Sequence, residues 1–110
     1  MYKVVISIIT PAYNAAETLT KLFDTIRSQT FRQFEWIVVN DGSQDNTLEV
    51  LNMLIKDSPF PCKVFDQDNQ GVSRARNRAL SEAKGQYVFF ADADDYLNPD
   101  TLEILYQGIL

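Results

Sequence analysis

Short runs of β-branched and other apolar residues alternate with segments of helical periodicity along this chain, and that alternation constrains its fold. The sequence predicts strands over residues 4–9, 34–39, 63–66 and 87–91. It predicts helices over residues 14–30, 43–57, 72–83 and 98–110. Strict alternation favours an α/β domain with a mostly parallel sheet and helices on both faces.

Two local signals refine this prediction. The predicted strands are nearly continuous in apolar residues, as is typical of parallel strands buried on both faces, so we expect the run ending at Ala91 to be buried. Residues 10–13 contain Pro11 and are expected to end the first strand. Asn14, with Glu17 three residues later, is expected to cap the helix that follows.

Polar clusters follow all four predicted strands. They occupy residues 10–14, 40–43, 66–68 and 92–95, and they carry more carboxylates than strand-to-helix turns require. In parallel α/β sheets, ligands bind outside the carboxyl ends of the strands, where the strand order reverses. The sequence therefore predicts a ligand site at this edge of the sheet.

The most acidic cluster contains Asp92, Asp94 and Asp95 directly after an apolar run. Like charges this close disfavour one another's ionisation unless a cation is present. A hard divalent ion held by one or two carboxylates and by substrate phosphates is the usual partner. A solvated acidic turn before a helix that starts at Asn98-Pro99 is the other interpretation.

A stripe of small side chains on the third predicted helix contains an arginine. At about 100° per residue, Arg76 falls within the stripe formed by Val72, Ala75, Ala79 and Ala83. Arg74 and Arg78 fall on the opposite, solvent side. An inward guanidinium requires a carboxylate or a phosphate, so Arg76 is expected to pair with a strand-end carboxylate, a diphosphate, or both.

Composition excludes several classes of function. The formal net charge is -5, with 10 basic and 15 acidic residues, so the chain lacks the basic footprint of a nucleic-acid-binding protein. It contains no histidine, which makes a zinc site or a histidine base improbable. The single Cys62 excludes an internal disulfide, and no apolar run is long enough to span a membrane. We expect a cytoplasmic chain, with the inner face of the membrane as a second location open to the full-length protein.

Four motifs, in order and spacing, resemble the family 2 glycosyltransferases with the GT-A fold. They are residues 7–14 (SIITPAYN), 38–45 (VVNDGSQD), 69–77 (NQGVSRARN) and 92–95 (DADD). The resemblance spans nearly the whole chain. It implies a Rossmann-like, nucleotide-sugar-binding half of a GT-A domain. It also implies an inverting transfer of a sugar from a nucleotide diphosphate sugar, most often a UDP-sugar, to an acceptor glycan or a similar hydroxyl group, as in cell-surface polysaccharide biosynthesis.

The resemblance also assigns roles to individual residues. It implies that Pro11, Ala12 and Tyr13 wall the base and ribose pocket, and that Asp41 accepts a hydrogen bond from the base. Such a role suits an ionised carboxylate, which can only accept and so recognises a ring N–H such as that of uracil.

At the acidic cluster, the resemblance places Asp92 and Ala93 against the ribose and the donor. It gives Asp94 the Mn²⁺ or Mg²⁺ that bridges the diphosphate, with Asp95 as an accompanying acid. It also matches Asp68 and Arg76 to positions that line the nucleotide site.

No general base is assigned within residues 1–110, because the resemblance places it in the acceptor half of the domain, beyond this sequence. We therefore expect the chain to be the nucleotide-sugar-binding part of a larger enzyme and inactive alone. Two alternatives stay open: a non-catalytic nucleotide-binding module, and a Mg²⁺-binding receiver domain of signalling proteins. A dinucleotide dehydrogenase is disfavoured, because no Gly-x-Gly-x-x-Gly follows the first strand.

Overall fold

The computed structural model describes residues 3–109, which form four strands alternating with four helices. In chain order these are β1 (Ile6–Ala12), α1 (Leu19–Arg27), β2 (Phe34–Asp41), α2 (Thr47–Lys56), β3 (Cys62–Gln67), α3 (Val72–Glu82), β4 (Tyr87–Phe90) and α4 (Thr101–Ile109). The strands pair in parallel in the order β3-β2-β1-β4. The predicted α/β class and parallel sheet are confirmed.

Helices cover both faces of the sheet, as predicted. On one face, α1, α2 and α4 contribute to a large apolar cluster around the buried side chains of Leu22, Trp36 and Leu102. On the other face, α3 packs Ala75 and Ala79 against β1 and β2. Small side chains let the α3 backbone lie close to the sheet, and this explains the stripe in the sequence.

The β1 strand runs farther than its sequence predicts. Thr10, Pro11 and Ala12 continue the strand, and Ala12 pairs with Asn40 of β2. The prediction that these residues end the strand is wrong, because proline lacks only a donor and can lie in a strand where none is required. The last pair of β1 with β4 is Ile9 with Phe90. Because β1 continues to Ala12, beyond its last pair with β4, a recess lies between these two segments at the carboxyl edge of the sheet.

The expected cap of α1 is also corrected. Asn14 has a positive φ of 48° and lies outside the helix. Its Oδ1 accepts a hydrogen bond from Gln44 N at 2.7 Å, and its N–H donates to Ser43 Oγ at 2.9 Å. Asn14 thus joins the loop after β1 to the loop after β2, and α1 begins at Leu19 after Thr18.

The β4 strand is the third correction. The sequence predicts a buried strand, but β4 lies at an edge of the sheet formed by the described residues, and Tyr87, Val88 and Phe90 are exposed. An apolar run does not distinguish a central strand from an edge strand. The last helix begins at Thr101 rather than at Asn98, and its predicted end at Leu110 lies outside the described residues.

Candidate functional site

The carboxyl ends of β1, β2 and β4 surround two adjoining cavities, which we call the strand-end cleft. The inner cavity, of about 250 Å³, contacts Ala12, Asp41 and Gly71, and the outer cavity, of about 380 Å³, contacts Asp92 and Asp94. Both cavities are also lined by Pro11, Tyr13 and Val72. The cleft lies where the order of the strands reverses, between β1 and β4, which is where ligands bind in open parallel sheets.

Two half-exposed side chains line both cavities at the point where the cavities adjoin. Tyr13 follows β1 and is 49% exposed, and Val72 begins α3 and is 50% exposed. The helical stripe predicted that Val72 packs against the sheet, but Val72 lies at the first turn of α3 and faces the cleft instead. An aromatic ring and an aliphatic side chain facing one recess suit a flat ring system.

Asp41 lies at the end of β2 and is almost completely buried. Its Oδ1 accepts hydrogen bonds from Gln67 Nε2 at 2.9 Å and from Gln70 N at 2.8 Å, and its Oδ2 accepts one from Gly71 N at 3.0 Å. Burial opposes ionisation, but these hydrogen bonds outweigh it and hold the pKa of Asp41 below its ordinary value. Asp41 is therefore an ionised, buried acceptor at the floor of the inner cavity.

The loop before α3 depends on Asp41 and on Gly42. Asn69 Nδ2 donates to the backbone oxygen of Asp41 at 3.1 Å. Gly42 has a φ of +68°, and a Cβ at this position would lie 2.5 Å from Asn69 N. The Asp-Gly pair thus allows the loop to pack directly on the end of β2. The Asn-Gln-Gly motif at residues 69–71 was recognisable in the sequence. The sequence alone, however, predicted no role for Gln67, Asn69 or Gly71.

Arg76 pairs with Asp92, as the sequence predicted for an inward arginine. The distance from Nη2 to Oδ1 is 3.3 Å, and the guanidinium carbon lies 5.8 Å from the centre of the Phe90 ring. The Nε of Arg76 is buried and has no hydrogen-bond partner among residues 3–109. The side chains of Arg76 and Asp92 are 38% and 57% exposed, so the pair is reached by solvent.

The three carboxylates of the acidic cluster do not act alike. Asp92 Oδ1 contacts Arg76, and Asp95 Oδ2 accepts a hydrogen bond from Asp92 N at 2.8 Å. Asp94 lines the outer cavity, and its carboxylate has no partner within the described part of the chain. Among residues 3–109, Asp94 is thus the carboxylate of this cluster that the protein itself leaves without a partner.

The donor set fits a divalent ion only if a ligand completes the site. In the described residues, no three carboxylate, imidazole or thiolate groups come together as a ready-made metal site. Hard cations such as Mn²⁺ and Mg²⁺ accept one or two carboxylates when phosphate oxygens supply the rest of the shell. Asp94, with Asp95 next to it in sequence, provides that kind of partial site.

Asp68 lies apart from the strand-end cleft. It lines a separate polar cavity of about 340 Å³ together with Asn40, Asp45 and Asp66. The structure thus brings together Pro11, Ala12, Tyr13 and Asp41 in one cavity, and Asp92, Ala93 and Asp94 in the next. The role predicted for Asp68 at the nucleotide site stays a prediction.

Comparison with known proteins agrees with this geometry. The sequence profile described as glycosyl transferase family 2 matches residues 7–110. The chain belongs to glycosyltransferase family 2. This membership rules out the receiver-domain alternative, which also requires acids after the first strand, where this chain has Thr10, Pro11 and Tyr13.

Among its relatives, chondroitin synthase of Pasteurella multocida is 41% identical over 105 residues, which are 96% of this chain and 11% of that protein. The structure of S. aureus TarS residues 1–349 in complex with UDP-GlcNAc superposes with a TM-score of 0.89 and 34% identity, covering 96% of this chain and 31% of that TarS fragment. The mannosyltransferase PcManGT of Pyrobaculum calidifontis, in complex with GDP-Man and Mn²⁺, has a TM-score of 0.86 and 28% identity, covering 93% of this chain and 31% of PcManGT. This family 2 chain therefore spans about a third or less of these relatives. In residues 3–109, no helix is long and apolar enough to cross a membrane.

Proposed function

We propose that this chain is the nucleotide-sugar-binding part of an inverting, metal-dependent glycosyltransferase that transfers a sugar from a UDP-sugar to a hydroxyl group of an acceptor glycan. One observation carries the proposal. A single cleft has a buried, ionised acceptor, Asp41, at one end. At the other end it has Asp94, a carboxylate with no partner among residues 3–109, and the ion pair of Arg76 with Asp92. A nucleoside diphosphate has the matching order of groups, with a base at one end and charged oxygens at the other.

The inner cavity suits the base. Asp41 accepts three hydrogen bonds from the protein, which leaves about one of the roughly four acceptor positions of a carboxylate open. That position can accept a ring N–H but can donate nothing. Tyr13 and Val72 offer apolar surfaces to the faces of the ring. The UDP-GlcNAc held by TarS supports uracil as the base.

The outer cavity suits the ribose and the diphosphate. Asp92 and Ala93 line its wall near the ribose position, and the donors of Arg76 lie next to Asp92. Asp94, with Asp95 as accompanying acid, would hold Mn²⁺ or Mg²⁺, which as a Lewis acid neutralises the charge that grows on a departing diphosphate. The Mn²⁺ in the PcManGT complex supports this assignment.

We assign no general base among the described residues. Asp41 accepts three hydrogen bonds from the protein and is assigned to the base of the nucleotide, Asp92 is paired with Arg76, and Asp94 is assigned to the cation. A base must lie within hydrogen-bond reach of the acceptor hydroxyl group. We propose that the base and the acceptor site belong to the rest of a protein of the length of its relatives.

Titration calorimetry of this chain tests the proposed function. We expect UDP to bind with Mn²⁺ and to bind much more weakly in the presence of a chelator. Uridine, which lacks the diphosphate, should bind with the same low affinity in both conditions. GDP serves as the control for base choice and should bind more weakly than UDP. Equal affinity for UDP with Mn²⁺ and with chelator would contradict the metal dependence, and a preference for GDP would contradict the choice of donor.

A further inference from the structure

The segment that carries the cleft carboxylates is fastened to the end of α1. We call residues 91–100, between β4 and α4, the acidic loop. At its start, Ala91 N donates to Ile9 O at 2.9 Å, which continues the pairing with β1. Its second half has no strand to pair with. There, Leu97 N donates to Thr25 Oγ1 at 3.3 Å, and Thr30 N donates to Pro99 O at 2.8 Å.

Gln29 lies at the centre of this attachment. It follows α1, is only 2% exposed, and makes hydrogen bonds with both ends of its amide. Nε2 donates to Asn98 O at 2.7 Å and to Thr25 O at 3.1 Å. Oε1 accepts from Leu102 N, in the first turn of α4, at 3.1 Å. One side chain therefore joins the end of α1, the acidic loop and the start of α4.

The chemistry of this position requires an amide. A carboxylate has no donors for the two carbonyl oxygens, and an ammonium group has no acceptor for the Leu102 N–H. An apolar side chain of the same length would leave the buried Leu102 N–H without its acceptor, which is costly. It would also remove the link from α1 to Asn98 O, which would keep only its local hydrogen bond from Thr101 N at 3.1 Å. Buried Leu97 and Leu102 pack on the same side of the sheet but set no hydrogen-bond direction.

We infer that Gln29 is a positioning residue for the cation and diphosphate end of the cleft. It lines neither cavity, so it acts only through the acidic loop. The turn from Asp92 to Asp95 is closed by its own hydrogen bonds, and its place relative to β1 is fixed by Ala91 on one side and by the Gln29 attachment on the other. Without Gln29, the end of the acidic loop next to α4 loses its attachment to α1. Asp94 then no longer holds one position relative to the phosphates. This inference rests on the proposed function for the identity of the ligand.

The test compares Gln29→Met with Ser7→Ala. Methionine keeps the length of the side chain and removes its hydrogen bonds. Ser7 is buried at the amino edge of the sheet, where its Oγ donates to Glu35 at 2.7 Å and accepts from Gly85 N at 2.9 Å. Ser7→Ala thus removes buried hydrogen bonds far from the cleft and controls for a general loss of stability. All measurements are made at a temperature at which both variants are folded.

Two readouts separate positioning from stability. In hydrogen exchange without ligand, Gln29→Met should speed exchange of the amides of residues 95–102 and leave those of residues 69–72 unchanged. In calorimetry, it should weaken Mn²⁺-dependent UDP binding by about 10- to 100-fold, the range for groups that orient metal ligands. Uridine affinity should not change, and Ser7→Ala should alter neither readout.

If the wild-type chain binds UDP in a Mn²⁺-dependent way and Gln29→Met binds it equally well, the positioning role is overturned and the proposed function stays intact. Unchanged exchange in residues 95–102 would overturn it as well, whatever the ligand. A wild-type chain that binds no UDP would instead contradict the proposed function.

Discussion

Arg76 on α3 contacts Asp92 in the acidic loop, with 3.3 Å between Nη2 and Oδ1. This ion pair joins the helix on one face of the sheet to the loop that carries the cleft carboxylates. From the helical stripe alone, one expects a buried pair whose loss costs several kcal/mol. Because both side chains are reached by solvent, we now expect a contribution of about 0–1 kcal/mol to the free energy of unfolding.

The first prediction concerns this pair. Arg76→Ala should lower the free energy of unfolding only slightly but weaken Mn²⁺-dependent UDP binding, because it removes donors next to the outer cavity. Arg27→Ala is the matched control, since Arg27 pairs with Asp24 at 3.2 Å and lies 6.0 Å from the Phe23 ring, away from the cleft. Denaturant unfolding and calorimetry measure the two effects. Equal UDP affinity in both variants would show that Arg76 is only a surface charge.

The second prediction concerns Asp94. Asp94→Asn should remove most of the difference in UDP affinity between Mn²⁺ and chelator, because Asp94 is the cleft carboxylate that has no partner within the described range 3–109. Asp100→Asn, an exposed position in the same loop, serves as the control. Manganese titration followed by electron paramagnetic resonance gives the ion affinity directly. If UDP affinity in Asp94→Asn still depended on Mn²⁺ as strongly as in the wild type, the ion would be held by a residue other than Asp94.

The third prediction is a pH dependence of stability. The pKa of Asp41 in the folded chain lies below its ordinary value of 3.8. Its stabilising effect is therefore present above pH 3.8 and is lost as pH falls through the lower, folded-state value. In Asp41→Asn, the free energy of unfolding should be lower at neutral pH and should fall less steeply in that acidic window. Urea unfolding at a series of pH values, with exposed Asp57→Asn as control, measures the slopes. Parallel curves for wild type and Asp41→Asn would contradict this origin of the pH dependence.

Base choice gives Asp41 a separate test. Loss of its carboxylate should cost about 1–3 kcal/mol in UDP binding, the scale of a hydrogen bond to a charged group. The preference for UDP over GDP should shrink as well. We expect this in Asp41→Asn by competition calorimetry. A retained preference would restrict Asp41 to holding the loop before α3.

The next prediction compares two glycines with positive φ. Gly42 (φ +68°) lies against the backbone of Asn69, whereas a Cβ at Gly71 (φ +95°) would meet nothing within 4 Å. Alanine at either position incurs backbone strain of about 1–3 kcal/mol. Gly42→Ala should cost more and should also weaken UDP binding, because it displaces the loop that contacts Asp41. Equal losses of stability, measured by thermal unfolding, would show that the loop accommodates the methyl group.

The last prediction is that the 110-residue chain binds donor but forms no glycosidic product. Loss of a general base reduces rates by about 10²–10⁴-fold, and loss of acceptor positioning reduces them further. Incubation with UDP-GlcNAc, Mn²⁺ and a mixture of acceptor glycans, followed by mass spectrometry, measures transfer. Product that depends on an acceptor and forms at enzymatic rates would place a base within this chain.

Much of the fold follows from local patterns. The alternation of apolar runs and helical periodicity determined the four strands, the four helices and the parallel sheet, because hydrophobic period and turn residues act over a few positions. The location of the cleft followed too, since the carboxyl ends of parallel strands share one edge. Helix starts were less well predicted. The sequence predicts that Asn14 caps α1, but its side-chain Oδ1 accepts a hydrogen bond from Gln44 N on another loop instead.

Long-range contacts decided the rest. The sequence has three similar aspartates after β4, and only the folded chain distinguishes them. Asp92 pairs with Arg76, Asp95 accepts a hydrogen bond from Asp92 N, and Asp94 has no partner in the part of the chain that the structure describes. The family resemblance predicts that Asp41 binds the base. The hydrogen bonds that Asp41 accepts from residues 67–71, however, depend on the pairing of β2 with β3. Gln29 had no signal, because an amide acquires a role only when its partners, 69 and 73 residues away, are brought to it. Sequence determined which chemical groups stand at the edge of the sheet, and tertiary packing decided which of them remain available to a ligand.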